Sequence, residues 1–301
     1  MMKAVQISDI TKAEDVKLTD APVPETKSGW VLVKVKAFGM NHSEQVLRLE
    51  EIKEDYIKKP VIPGIECVGE IVGSMEPDLK EGQKAVALMG GMGRSFDGSY
   101  AEYALLPADH VFPIESSLSW EEMAAVPETY FTAWGSLFEC LKLKKDDTLL
   151  IRGAICALGY AAIQIAKALG AKVVGTTHRE SKLKLLTDCD ARLLDEGSLK
   201  GSMKGVNKVL ELEGIKTLKD TMVNADKGTK VCNTGILGGA YVWDGFDPIK
   251  DIPNGVYLTG FFSNYPTKEV MRDIFSFMDE HELRPKVGAR YDFKDIKQAC
   301  I

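Results

Sequence analysis

The first third of the chain alternates between apolar and polar positions. From Val31 to Phe38, VLVKVKAF sets Val31, Val33, Val35 and Ala37 on one face and Lys34 and Lys36 on the other. That is the period of two that a half-buried β-strand requires. KPVIPGIECVGEIVG, punctuated by Pro60 and Pro63, is rich enough in β-branched residues to predict a further strand pair. KAVALMG and SYAEYALLP follow, with Gly82, Gly90, Gly91, Gly93 and Gly98 supplying turns. Short strands this close together predict a small barrel-like domain.

Near Trp120 the period changes. SWEEMAAVPETYFTAWGSLFECL reads as helix, with Ser119 as N-cap and Glu122 completing a capping box. From Asp147 onward, strand and helix patterns alternate. TLLIRG is a strand, GYAAIQIAKALG a helix stopped at Gly170, KVVGTT a strand and RESKLKLLTD a helix. RLLD, KVLEL, KVCNTG and VYLTGF make four more short strands. Such alternation predicts a parallel sheet with helices on both faces, and six strands match a doubly wound dinucleotide fold. The tail predicts a helix in TKEVMRDIFSFMDEHEL, a strand in YDF and a second helix in DIKQACI, on which the sequence stops at Ile301. A compact domain seldom ends in mid-helix, so the native chain is expected to continue.

A length of 301 residues suits about two domains. The net charge of −6, from 38 Lys and Arg against 44 Asp and Glu, argues against nucleic acid as a partner, because phosphate binding needs a basic footprint. No run approaches the roughly eighteen apolar residues of a membrane span. The start, MMKAVQISDITKAED, lacks the apolar core of a secretory signal. Cys67, Cys140, Cys156, Cys189, Cys232 and Cys300 form no CxxC, and the four histidines form no HxxxH or HExxH. This scatter predicts reduced thiols, a cytoplasmic location and no metal site.

Candidate chemistry concentrates in Ile151–Tyr160, IRGAICALGY. A strict GxGxxG would put glycine at 154, 156 and 159, and only Gly159 complies. Alone, the segment fits any tight strand-to-helix turn. Its setting, with a strand before, an unbroken helix after and a second strand beyond, points to a dinucleotide pyrophosphate on the helix N-terminus. Gly153, Ala154, Cys156, Ala157, Leu158 and Gly159 are therefore candidate cofactor contacts. The second strand ends at Thr177-His178-Arg179, with Lys182 close behind. NAD enzymes place an acidic residue here. A guanidinium instead favours a 2′-phosphate by on the order of 1.5–3 kcal/mol per charged hydrogen bond. Thr177, Arg179 and Lys182 thus indicate NADP(H). Arg179 also fits a solvated helix start, and Glu180 would reverse the assignment if the register shifted by one.

The ordered set AFGMN (37–41), PGIECVGEIVG (63–73), DGSYAEY (97–103), PETYFTAWGSLF (127–138), RGAICALG (152–159) and CNTGILGG (232–239) resembles the medium-chain dehydrogenase/reductase superfamily. It is most similar to the zinc-free quinone oxidoreductase branch, from Lys3 to the end. The resemblance implies an α/β chain. A GroES-like β-barrel catalytic domain would occupy 1–122, completed by 266–301. A Rossmann doubly wound parallel sheet would occupy 123–265, with the active cleft between the two. Zinc alcohol dehydrogenases of the superfamily have a cysteine where this chain has Asn41, a histidine where it has Ile65, and a third ligand close to Glu128. LMGGMGRSFDGS replaces their structural-zinc loop, and Cys156 stands where relatives often carry Ser or Gly.

Without a Lewis acid to polarise an alcohol, the resemblance implies electron-poor acceptors. Quinones and α,β-unsaturated carbonyls (enones) would take hydride from NADPH, with the protein mainly orienting the reactants. Asn41 is the first candidate for a polar contact to substrate or nicotinamide, although an ordinary turn asparagine explains it equally. Tyr130 is a candidate proton donor and Thr132 a cofactor contact. Gly235, Ile236, Leu237, Phe261 and Phe262 could border the nicotinamide or simply pack. His42 fits a loop histidine. Tyr56 either covers substrate or faces solvent, and a tyrosine that some quinone reductases carry near Val46 is absent. The uncharged edge GVYLTGF predicts a homodimer through Val256–Phe261, as family members often form. An enoyl-thioester reductase and a non-catalytic NADPH-binding redox sensor are the alternatives.

Overall fold

A computed structural model describes residues 1–301. They form two compact units, Met1–Glu128 with Asn264–Ile301, and Thr129–Ser263.

In the first unit, β1 (Met2–Val5) and β2 (Leu18–Ala21) pair as a separate antiparallel ribbon. β3 (Trp30–Ala37), α1 (His42–Leu49), β4 (Glu66–Ser74), β5 (Lys84–Leu88), β6 (Tyr103–Pro107) and β7 (Val111–Pro113) follow. The five strands make one antiparallel sheet in the order β6-β3-β4-β5-β7. Two register shifts in β3, after Leu32 and after Val35, are the irregularities that bend a strand and increase its twist. Val31 and Val33 are buried while Lys34 is exposed, as the alternation requires. The expected pair of strands in KPVIPGIECVGEIVG is one long strand, β4. The prolines ahead of it have no N–H to give a ladder, and Val61 makes only an isolated bridge to Ile7. α2 (Trp120–Ala124) carries the expected capping box, with Ser119 accepting from the Glu122 amide. It packs against β3 and β4 and so belongs with this unit, and the boundary between units falls inside α3 (Pro127–Trp134).

The second unit opens with the rest of α3 and a π turn over Gly135–Cys140. Its elements are β8 (Thr148–Arg152), α4 (Ala157–Leu169), β9 (Lys172–Thr177), α5 (Glu180–Leu183), β10 (Asp190–Leu193), β11 (Lys208–Glu211), α6 (Ile215–Val223), β12 (Lys230–Asn233), α7 (Pro248–Asp251) and β13 (Tyr257–Gly260). The six strands are all parallel and run β10-β9-β8-β11-β12-β13. This is the doubly wound order, whose direction reverses between the first and fourth strands. α4 stops at Gly170, with φ 87°, the left-handed end that glycine permits.

Two elements depart from expectation. The helix expected in RESKLKLLTD shrinks to α5, and the Tyr160 hydroxyl takes the Leu185 carbonyl (3.1 Å) that a longer helix would use. β10 pairs through Asp190–Leu193, two residues ahead of RLLD. The link from β10 to β11 has one 3₁₀ turn and no α-helix. Gly197, Gly201 and Gly205 all take positive φ there, which a helix does not allow. Leu199, Met203 and Val206 nevertheless bury themselves in the core under β8 and β11.

The chain then returns to the first unit with α8 (Lys268–Glu280), capped by Thr267 and burying Met271, Ile274, Phe275 and Met278. The expected strand YDF is instead the start of a 3₁₀ turn, with Phe293 edge-on to Phe38. α9 (Ile296–Cys300) ends the chain. No helix is long and apolar enough to cross a membrane.

Candidate active site

In the second unit, β8 and β11 lie side by side at the reversal point, with Arg152 and Glu211 in register at their C-terminal ends. Gly153 leaves β8 at φ 81°. Ala154 is fully buried, and a Cβ on Gly159 would collide with its carbonyl oxygen. Glycine is therefore required for α4 to close onto the turn. Cys156 is the N-cap, and its thiol accepts from the Gly159 amide at 3.3 Å. The position that lacks a Ser or Gly thus still makes a capping bond, through a weaker acceptor. Burial raises the Cys156 thiol above its ordinary pKa. Ala157 and Leu158 form the first turn of the thirteen-residue α4, whose dipole presents positive potential to an anion. Turn, obligatory glycine and helix start together fit a dinucleotide pyrophosphate.

At the tip of β9, the buried Thr177 hydroxyl accepts from the Arg179 amide at 3.2 Å. Arg179 is exposed, and its Nε donates to His178 Nε2 at 3.2 Å. Lys182 lies on α5, half-buried. Beyond β12, Gly235 fits so closely against Leu212 that a Cβ would strike its backbone. Its amide donates to Glu211 O, and the Leu237 amide to Leu212 O, each at 3.1 Å. Ile236 is half-buried between them and Leu237 is half-exposed. Thr132 is buried, and its carbonyl accepts from Ser136 Oγ, which also meets Thr234 Oγ1 at 2.9 Å. Phe261 packs edge-on against Phe131 and lies over Gly135, whereas Phe262 is exposed. Tyr130 is 2% exposed and its hydroxyl donates to Gln164 of α4. Burial pushes its pKa upward, so its geometry is that of a packed tyrosine joining α3 to α4.

Arg152 escaped notice in the sequence, although an arginine inside the apolar TLLIRG was the signal. It is 3% exposed. Nη1 donates to Thr217 O, Asp220 Oδ2 and Thr221 Oγ1 at 2.7–3.0 Å, and Nη2 to Gly197 O. Beside it the buried Glu211 accepts from the Glu213 and Gly214 amides and from the Thr217 and Thr221 hydroxyls. Every charge in this network has partners, as burial demands, and the network holds α6 and the 197 turn against the strand ends.

In the first unit, Asn41 is the N-cap of α1 and its amide N–H donates to Glu44 Oε2 at 2.7 Å. Glu44 Oε1 accepts from the Ile65 amide at 3.1 Å. The Asn41 side chain donates from Nδ2 to Glu66 Oε1 at 2.7 Å, and Glu66 Oε2 accepts from the Glu128 amide at 2.8 Å. Glu44 and Glu66 are each 2% exposed. Burial raises both from 4.5 to about 7, and the nearby Glu44 adds to the rise at Glu66. Neither carboxylate was singled out in the sequence. Asn41-x-x-Glu44 is a capping-box spacing, but such boxes are usually surface features. His42 starts α1, Val46 is buried and Tyr56 is exposed.

Catalytic zinc takes three protein ligands and an open position. Here the Asn41 amide is committed to Glu66, Ile65 is a buried alkyl group, and no group of three or more His, Cys, Asp or Glu could hold a metal ion. Positions 41 and 65 thus carry neither the thiolate nor the imidazole of a catalytic zinc site.

Two family descriptions match the chain in tandem, Alcohol dehydrogenase GroES-like domain over residues 27–116 and Zinc-binding dehydrogenase over 157–280. Quinone oxidoreductase of Rattus norvegicus is 26% identical over 99% of this chain and 93% of its own length. The solved quinone oxidoreductase of Pseudomonas syringae pv. Tomato DC3000 superposes with a TM-score of 0.83 at 23% identity, covering all of this chain and 95% of that one. A solved NAD-dependent alcohol dehydrogenase gives 0.81 at 26% identity over 95% and 92%. With the half-barrel, the doubly wound sheet and these matches in both halves, the chain belongs to the medium-chain dehydrogenase/reductase superfamily, is quinone oxidoreductase-like, and is an oxidoreductase.

Proposed function

We propose that this oxidoreductase is an NADPH-dependent reductase of quinones and α,β-unsaturated carbonyls that works without a metal. The observation that carries the reading is the donor set around Asn41. Where zinc relatives hold an electrophilic ion, this chain holds an amide fixed by Glu66.

The α4 N-terminus with Gly153, Ala154, Cys156, Ala157, Leu158 and Gly159 would hold the pyrophosphate, and Thr177, Arg179 and Lys182 the 2′-phosphate. Thr132, Gly235, Ile236 and Leu237, with Phe261 and Phe262, would position the nicotinamide end. When bound, the dinucleotide supplies hydride to an acceptor that is already electron-poor. Asn41 Nδ2 has two hydrogens, and one is used by Glu66. The other can donate to a carbonyl oxygen as negative charge develops on it, the preorganised stabilisation that lowers a barrier most. An acceptor that delocalises charge over a conjugated system needs no stronger electrophile, and solvent can supply the proton. Tyr130 receives no role in this scheme, because its hydroxyl already serves Gln164.

The six cysteines are free, which fits a reducing cytoplasm. β13 is an edge of the six-stranded sheet, and pairing of two copies through Val256–Phe261 is the assembly we expect. Steady-state oxidation of NADPH over a panel of quinones and alkenals tests the function. Turnover on either class supports it. Tight NADPH binding with no turnover on any acceptor would favour a redox sensor.

A further inference from the structure

Asn41 can act on a substrate only if its amide faces one way. A side-chain amide has a donor end and an acceptor end of nearly equal size, and an unrestrained one samples both. Glu66 removes that freedom. Its two carboxylate oxygens each receive one N–H, Oε1 from Asn41 Nδ2 and Oε2 from the Glu128 amide. Gly39, two residues before Asn41, has no room for a side chain, because a Cβ would collide with Glu66 Oε1 and press on the Ala124 carbonyl. The carboxylate is thus walled in on one side and hydrogen-bonded on two others, at 2% exposure. A buried acidic group is costly unless its acceptors are used, and here they are used to orient a neighbour.

We infer that Glu66 is a positioning residue for the reduction: it fixes the Asn41 amide with its donor end available to the substrate oxygen. The inference rests on the reading above that Asn41 meets the substrate. Glu66 itself touches no reactant and acts only through Asn41.

The chemistry of the site makes the test sharp. Glutamine has nearly the shape of glutamate but only one acceptor oxygen. In Glu66→Gln, one of the two facing N–H groups must confront an NH₂. The Asn41 amide then turns over or loses its hold. Gly39→Ala perturbs the same contact differently, displacing the carboxylate without removing any polar group. Both variants are compared in the wild-type and Asn41→Ala backgrounds, with kcat and KM measured for a benzoquinone and the NADPH Kd by nicotinamide fluorescence. Residues acting through one another give non-additive effects. Glu66→Gln is expected to lower kcat/KM roughly tenfold, chiefly in kcat, with the NADPH Kd unchanged, and to have no more than about a twofold effect once Asn41 is alanine. Gly39→Ala is expected to follow the same pattern, and it decides the question if Glu66→Gln does not fold. An equal loss in both backgrounds would show that Glu66 acts structurally and would overturn the inference. Unaltered kinetics in Asn41→Ala alone would overturn the reading of Asn41 and the inference with it.

Discussion

At the residue scale, the two buried carboxylates set a pH dependence whose sign follows from their surroundings. Glu44 and Glu66 are raised from 4.5 to about 7 in the folded protein. The folded state therefore binds protons that the unfolded chain has released. Their stabilising contribution is complete below about pH 4.5 and is lost as pH rises through about 7. Each raised carboxylate corresponds to roughly 3 kcal/mol. Thermal melts between pH 5 and pH 8 should show wild type losing stability relative to Glu66→Gln as pH rises; a constant difference would contradict the assignment. Arg179 gives a second residue-scale prediction. Its guanidinium is exposed at the β9 tip, so Arg179→Ala should raise the KM for NADPH about tenfold or more and leave that for NADH nearly unchanged. An equal change in both would remove the 2′-phosphate contact. Asn41 was legible as a residue because AFGMN places it. Glu66 was not, because the hydrogen bonds that single it out come from Asn41 and Glu128, 25 and 62 positions away. Local patterning carries no such information.

At the element scale, the segments that read correctly are those whose ends carry their own chemistry. α4 is bounded by the Cys156 cap and the left-handed Gly170, and α2 by the Ser119–Glu122 box. The Gly159 contact with Ala154 makes the α4 start a sensitive joint. Gly159→Ala should cost roughly 1–3 kcal/mol of stability by overpacking and weaken NADPH binding more than it weakens any contact around Asn41. Melting together with NADPH titration checks this, and an unaffected Kd would sever the link between this turn and the cofactor. Helix-forming composition without such end signals misleads. RESKLKLLTD has helix formers throughout, yet Tyr160 captures the Leu185 carbonyl from another element. α1 and α6 went unannounced: α1 carries an Asn41–Glu44 capping box but is only eight residues long, and α6 follows Gly214 in an unusual backbone.

At the scale of the whole molecule, two sets of periodicities, alternating strands and then strand–helix repeats, made the antiparallel and the parallel sheet legible in the sequence. The strand order β10-β9-β8-β11-β12-β13 is one of the few that right-handed crossovers allow for parallel strands. The missing helix between β10 and β11 did not follow, because three glycines were needed to show it and glycines in a loop suit many conformations. The same limit applies to chemistry. Asparagine and isoleucine at positions 41 and 65 were readable, while the bond that holds the Asn41 amide to Glu66 emerged only from the structure. The central claim is that this amide serves where zinc relatives use an ion. Metal content and NADPH-driven quinone reduction, measured on the same preparation before and after exhaustive chelation, test it most directly. The account predicts substoichiometric zinc and unchanged turnover. One zinc per chain, with activity lost on chelation and restored by zinc, would contradict it.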